Sequence, residues 1–317
     1  MKKTLALLLS LLMLFSLAAC SKKEAAPVAT AAPTAAPTAA PTNTPAPTEV
    51  PANVLVADAF DKLQALKSVH MDVTVLMDMT VQMGYQGISM SMPIKMNMDY
   101  LMDVQKDPYL TKMDVKMDMD MAAYGQQSNV ALVYMDMTGD SPVAYSSTDD
   151  GVTWVVETQE IENLKPQESY VVLGKYVKDF EKAGTDTVDG KAVTVYTGNL
   201  EGKYAQEVMA ATGMEEMMSD FVDQDDAAGE GVVFNVIPVT VYVDDATGYP
   251  VYYSMDMTDT LKDMLTAAMK KAMGGDSMEG MEVTLDVAAI KAEATLSQFD
   301  SVPPIEIPEA ALAAHNN

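Results

Sequence analysis

Apolar and polar residues alternate with a period of two along the chain from Val69 to Val104. Val69, Met71, Val73, Val75, Met77, Met79, Val81 and Met83 are apolar, and His70, Asp72, Thr74, Asp78, Thr80 and Gln82 fall between them. The same parity returns in Ile88, Met90, Met92, Ile94, Met96, Met98, Tyr100, Met102 and Val104. A third segment sets Tyr109, Met113, Val115, Met117, Met119 and Met121 against Lys112, Asp114, Lys116, Asp118 and Asp120; a fourth carries Val133, Met135 and Met137. Successive side chains of a strand point to opposite faces, so the pattern predicts an antiparallel sheet with one dry face. Strands of about 15 residues run near 50 Å, against a usual 3–10 residues. Twist accumulates over that length, so the sheet is expected to curl into a half-barrel.

Elsewhere the period changes. In VLVADAFDKLQALKS, Val54, Ala57, Leu63 and Leu66 lie at helical spacing, which predicts a first amphipathic helix. Tyr170–Lys182 reads as helix, followed by a hairpin through Asp189-Gly190 into Ala192–Thr197. Lys203–Phe221 is a second amphipathic pattern, and Leu261–Met273 a third, stopped by Gly274-Gly275. Val232–Val243 and Tyr249–Met257 flank a turn at Asp244–Gly248 and read as a hairpin. In the closing strand the parity of Met281–Val287 shifts before Ile290–Leu296, which predicts a bulge between them. The expected class is therefore α+β: a strongly curled antiparallel sheet covered by helices, with a methionine-rich inner face.

Composition adds an address. The start, MKKTLALLLSLLMLFSLAAC, sets Lys2 and Lys3 before an apolar run too short for a membrane span, the pattern of a secretory signal. Leu17-Ala18-Ala19-Cys20 resembles the lipobox of bacterial lipoproteins, and Cys20 is the only cysteine, so no disulfide forms within the fold. The resemblance implies cleavage after residue 19 and acylation of Cys20, giving a lipid anchor in the cell membrane on its extracytoplasmic face. Residues 20–52, rich in Ala, Pro and Thr, cannot build a core and read as an extended stalk of about 3.1 Å per residue. A ligand-binding domain is expected over 53–310 and a flexible tail over 311–317, the whole being a monomer.

The formal charge of −26 comes with 20 basic residues, all lysine. That argues against nucleic acid, which is held by basic patches and bidentate arginine. It names no partner.

Chemistry must then come from few residues. His70 falls on the wet face and His315 in the tail, and neither sits in a nucleophile motif. DQDDAAGEG, residues 223–231, departs from EF-hand spacing at Ala227 and Ala228. SSTDDGVTW, residues 146–154, resembles the Asp-box of sialidases and related propellers, where the motif fastens a turn; its single occurrence predicts a local turn here. No P-loop, HExxH or dinucleotide fingerprint occurs. The sequence predicts no enzyme, no cofactor and no metal centre. What stands out is 28 methionines. Three readings of them are open. They line a cavity for an apolar or amphipathic ligand, because methionine repacks readily; they fill an ordinary core; or their thioethers converge on Cu(I). The candidate lining residues are Met71, Met77 and Met79 in the first strand and Met90, Met92, Met96 and Met98 in the second. Met113, Met117 and Met119 come from the third, Met135 and Met137 from the fourth, and Met255 and Met257 from the late hairpin.

The opening LKSVHMDVTV, the hairpin VTVYVDDATGYPVYYSMDM and the closing ATLSQFDSVPPIEIPEAA are similar to LolA-type folds. These include the outer-membrane lipoprotein carrier, the LppX/LprG lipid-carrying lipoproteins and Gram-positive relatives. The resemblance implies a half-barrel over an apolar cavity, a lipid or lipidated protein as ligand, and no catalytic residue. A copper-handling lipoprotein and a cargo-free protein-interaction module are the alternatives.

Overall fold

The computed structural model describes residues 50–85, 88–121, 125–139, 141–158, 176–177, 179–202, 204, 235–262, 265–266 and 281–315. The proposed signal and nearly all of the stalk lie outside these residues, as do most of the helices expected at 170–182, 203–221 and 261–273 and the acidic stretch 223–231.

Among the described residues, eleven strands form one antiparallel sheet. In chain order they are β1 (Ser68–Tyr85), β2 (Ile88–Lys106), β3 (Tyr109–Met121), β4 (Gly125–Asp136), β5 (Val143–Ser147), β6 (Val155–Thr158), β7 (Glu181–Val188), β8 (Lys191–Leu200), β9 (Ile237–Asp244), β10 (Pro250–Asp256) and β11 (Met281–Ser297). Helix α1 (Ala52–Ala65) precedes them and α2 (Glu309–His315) follows. The spatial order is β6-β5-β4-β3-β2-β1-β11-β10-β9-β8-β7. Two meanders, β1–β6 and β7–β11, are thus joined where the first strand meets the last. Among the described residues the sheet is not closed, since β6 and β7 stand at its two edges.

The four alternating segments become β1–β4, in register: Met77 faces Met96, and Met96 faces Met119. The bulge expected in β11 is present. Asp78 pairs with Ala289 and Met79 with Val287, so Ala288 has no partner in β1 and the apolar parity changes there. Asp189 and Gly190 both have positive φ at the β7–β8 turn, as a two-residue hairpin requires. At the β9–β10 turn Asp244 Oδ1 accepts the backbone N–H of Ala246 at 2.7 Å, and Gly248 has a φ of 71°.

Three expectations are corrected. The helix read over Tyr170–Lys182 cannot reach its end, because β7 begins at Glu181; this edge strand is mostly exposed and so carries no alternation to reveal it. The buried face of α1 is Val56, Ala59, Phe60 and Leu63, whereas Val54 is exposed and Ala57 only partly covered. Phe60 decides that face by meeting Tyr253 of β10 edge-on, centroids 5.9 Å apart. The chain past 310 is not bare tail: Ala311 of α2 is fully buried, in a second apolar cluster with Leu110, Tyr134, Tyr145 and Ile305.

Candidate functional site

The methionine face is one surface with two environments. Towards the end where β1 begins, hereafter proximal, Met71, Met98, Met113 and Met135 are at most 2% exposed. Met255 on β10 and Met257 just after it are buried as well. These side chains share a core with Phe60 of α1, Val177, Phe180 and Leu261. Gly198 of β8 shows how tightly this core is packed, since a Cβ there would lie 2.7 Å from Val177 and 2.8 Å from Phe180. Among the candidates, Met71, Met98, Met113, Met135, Met255 and Met257 are therefore core.

Towards the opposite, distal end the same alternation continues without the same cover. Met77, Met79, Met92, Met96, Met117, Met119 and Met137 are half-buried, and Met90 is 58% exposed. Strand pairing collects most of these into rows. One row runs Ile290–Met77–Met96–Met119, and the next runs Val287–Met79–Ile94–Met121. Opposed residues of adjacent antiparallel strands lie about 4.5–5.5 Å apart at Cα, so the thioethers of a row form a continuous apolar strip. Met137 stands apart, past the proximal end of β4. The strip joins the core without a polar break: Met77, Met79, Met92, Met96 and Met117 pack against it.

The buried end contains one unusual hydrogen bond. Tyr100, 1% exposed, donates its hydroxyl to Met98 Sδ at 3.2 Å. Burial pushes the Tyr100 phenol well above its usual range, with Asp99 adding to it, so it stays a neutral donor. The Met98 sulfur is thereby occupied.

The wet face holds ion pairs: Lys95 with Asp78 at 2.7 Å, Lys112 with Asp114 at 2.6 Å, and Lys116 with Asp118. The first two hold the lysines above their ordinary range, chiefly through the hydrogen bond to the aspartate. His70 Nδ1 lies 2.6 Å from Asp103 Oδ1, and Ser297 stands opposite His70 on β11. This brings the residue types of a hydrolytic triad into one row. The second ring nitrogen lies 3.8 Å from Asp72, however, and no hydrogen bond joins it to Ser297 among the described residues. Among the described residues no group of three His, Cys, Asp or Glu side chains is placed to hold a metal ion.

The Asp-box fastens the β5–β6 turn, as its sequence predicts. Asp149 accepts from the hydroxyl of Thr153 at 2.5 Å and its backbone N–H at 2.8 Å, while Ser147 Oγ accepts the N–H of Gly151 at 2.9 Å. These bonds, the Thr153 hydroxyl first, bring the Asp149 carboxyl down to about 2.

A family model described as a family of unknown function, DUF6612, matches residues 52–316. A search of curated proteins finds no match. Among solved structures the chain is similar to lipoprotein LppX of Mycobacterium tuberculosis, with 14% identity, 80% of this chain and 97% of that chain covered, and a TM-score of 0.39. It is similar to LprF from Mycobacterium bovis at 15% identity, with 82% and 96% covered and a TM-score of 0.43. A DUF1329 family protein from Desulfovibrio piger follows at 9% identity, with 80% and 94% covered and a TM-score of 0.21. The resemblance to LppX-type lipoproteins expected from the sequence is thus present, at an overlap that transfers no cavity, ligand or residue.

Proposed function

The chain belongs to the family of unknown function DUF6612, and we propose that it is a membrane-anchored lipoprotein whose curled sheet binds an apolar or amphipathic ligand. The observation that carries this reading is the distal strip, in which Met77, Met96 and Met119 stand in one row, half-exposed and continuous with a buried core. Water gains nothing from such a surface, and a contiguous apolar patch on a soluble domain marks a place where something binds. Methionine suits a ligand of variable shape because its unbranched thioether chain repacks at little cost. In this reading Cys20 carries the acyl anchor, residues 20–52 form the stalk, and the domain stands outside the membrane. The ligand is a lipid or a lipidated protein, and no residue acts catalytically.

The test is dye binding to the full lipoprotein in detergent, read by the emission of an apolar, environment-sensitive fluorophore. Saturable binding that added phospholipid displaces, and that Met96→Trp weakens without loss of fold, is the expected result. Absence of a saturable site in the wild type would mean that the strip is only the margin of a core. A Cu(I) titration against a competing chelator addresses the thioether alternative. Tight copper binding lost on joint replacement of Met77, Met96 and Met119 by leucine would favour that alternative over lipid.

A further inference from the structure

Beyond Cys20 every sulfur of the chain is a thioether, because no second cysteine exists. The thioethers of the sheet divide sharply by cover. Val75, Met98 and Val115 are buried, and two residues further towards the distal end Met77, Met96 and Met117 are half-exposed. Met98 is the last buried methionine of β2, and its sulfur already holds the Tyr100 hydroxyl. Met117, directly opposite it on β3, is open to water on one side.

Strand β4 changes character at the same level. Its dry-face positions Met135, Val133 and Ala131 stand opposite Thr111, Met113 and Val115; Asn129 and Gln127 follow, opposite Met117 and Met119. Both of these side chains are exposed. Apolar alternation thus gives way to side-chain amides where the half-exposed methionines begin. Opposed residues are about 4.5–5.5 Å apart, so each amide is within reach of the methionine across from it. A thioether sulfur is a weak acceptor and makes little use of such a donor. A sulfoxide oxygen is a strong one.

We propose that the distal strip is a reversible oxidation site, at which a hydroperoxide converts Met77, Met96, Met117 and Met119 to sulfoxides while the core methionines stay reduced. A sulfur lone pair attacks one peroxide oxygen, the O–O bond breaks and an S–O bond forms; sulfur is oxidised by two electrons and the peroxide is reduced. With hydrogen peroxide, the proton of the transferred hydroxyl passes to the departing hydroxide, which leaves as water. The oxidant must reach the sulfur, so Met117 reacts and Met98, its partner across the strands, does not. Asn129 and Gln127 donate to the new oxygens of Met117 and Met119, so those dipoles do not go unsatisfied. Ile290, on the other side of Met77, offers no side-chain donor, and the sulfoxides of Met77 and Met96 turn to water. The strip becomes polar with the fold intact, and sulfoxide reductases, one per epimer, restore it. This deepens the proposed function and rests on it in one respect: a wetted strip releases its apolar ligand.

The test treats the full lipidated chain in detergent with hydrogen peroxide and maps the added oxygens by peptide mass spectrometry. Met77, Met96, Met117 and Met119 are expected to gain one oxygen each, while Met71, Met98 and Met113 gain none and circular dichroism is unchanged. Treatment with both methionine sulfoxide reductases should remove the added oxygens. Oxidation of Met98 as fast as Met117, or loss of dichroism in step with the first sulfoxides, overturns the proposal. Asn129→Ala with Gln127→Ala tests the receiving amides: peroxide should lower the urea midpoint of this variant and leave that of the wild type in place. An equal drop in both overturns the part given to the amides. Binding of the apolar dye separates this proposal from the reading beneath it. A reduced chain that binds no dye sinks the ligand, and the oxidation map then decides the strip by itself. Dye retained after full oxidation of the strip overturns ligand release.

Discussion

Tyr100 and Met98 bind each other where both are cut off from water, and this makes two neighbouring methionines unequal. Met98 and Met117 face each other across β2 and β3. Leucine conserves volume at either position, and such exchanges cost less than about 1.5 kcal/mol. At 98 the exchange also strands a buried phenol that donates to sulfur, a penalty of about 1–3 kcal/mol. Met98→Leu should therefore cost about 1 kcal/mol or more beyond Met117→Leu in urea unfolding. Tyr100→Phe in the Met98→Leu background should recover most of that difference, which a double-mutant cycle would measure. Alternation placed both residues on the dry face. It could not separate buried from half-exposed methionine, because parity is identical along the strand and cover is supplied by distant residues such as Phe60, Phe180 and Leu261.

Elements were legible wherever their signal was local. The β5–β6 turn follows from side chains within seven residues of one another, and the β11 bulge from a parity change inside one strand. Edge strand β7 gave no such signal, since it has little to bury. The β5–β6 turn also has a defined acid response. The Asp149 carboxyl is held at about 2, below the usual 3.9 of an unfolded aspartate, so the bonds to Thr153 and Ser147 favour the folded form. Their contribution is fully present above about pH 4 and is lost as pH falls through 2. Trp154, the only tryptophan, donates its ring N–H to Gly151 O at 3.0 Å and reports on this turn. Its emission should change with a midpoint near pH 2, and this transition should be missing in Asp149→Asn. A wild-type midpoint near 4 would mean that the bonds do not hold the carboxylate.

At the scale of the molecule, the seam between β1 and β11 makes one sheet of two meanders, and no local pattern announced it. Alternation shows that a strand has a dry face but not which strand lies beside it, so the order of eleven strands stayed beyond reach. The seam is fastened past its end as well: the backbone N–H of Asp300 donates to Ser68 O at 2.9 Å, and that of Ile305 to Gln105 Oε1 at 3.1 Å. Ala294 sits in the middle of the seam, fully buried between Val73 and Tyr253. Ala294→Glu would bury an unpaired carboxylate and is expected to cost more than about 4 kcal/mol. Because the seam unites both halves, Trp154 emission and far-ultraviolet circular dichroism should be lost together in urea. Loss of the dichroism alone, with Trp154 still native, would show two units that fold separately.

That same seam sets a timetable for synthesis. The ribosome delivers β1 early, but the strand that covers its free edge emerges about two hundred residues later. At about 5–20 residues per second the wait is about 10–40 s. Throughout it, one edge of the most methionine-rich hairpin offers unpaired N–H and C=O groups to any neighbour. The half-made sheet must therefore be held apart from its copies until the last strand arrives, and under the proposed extracytoplasmic placement part of that interval is spent crossing a membrane.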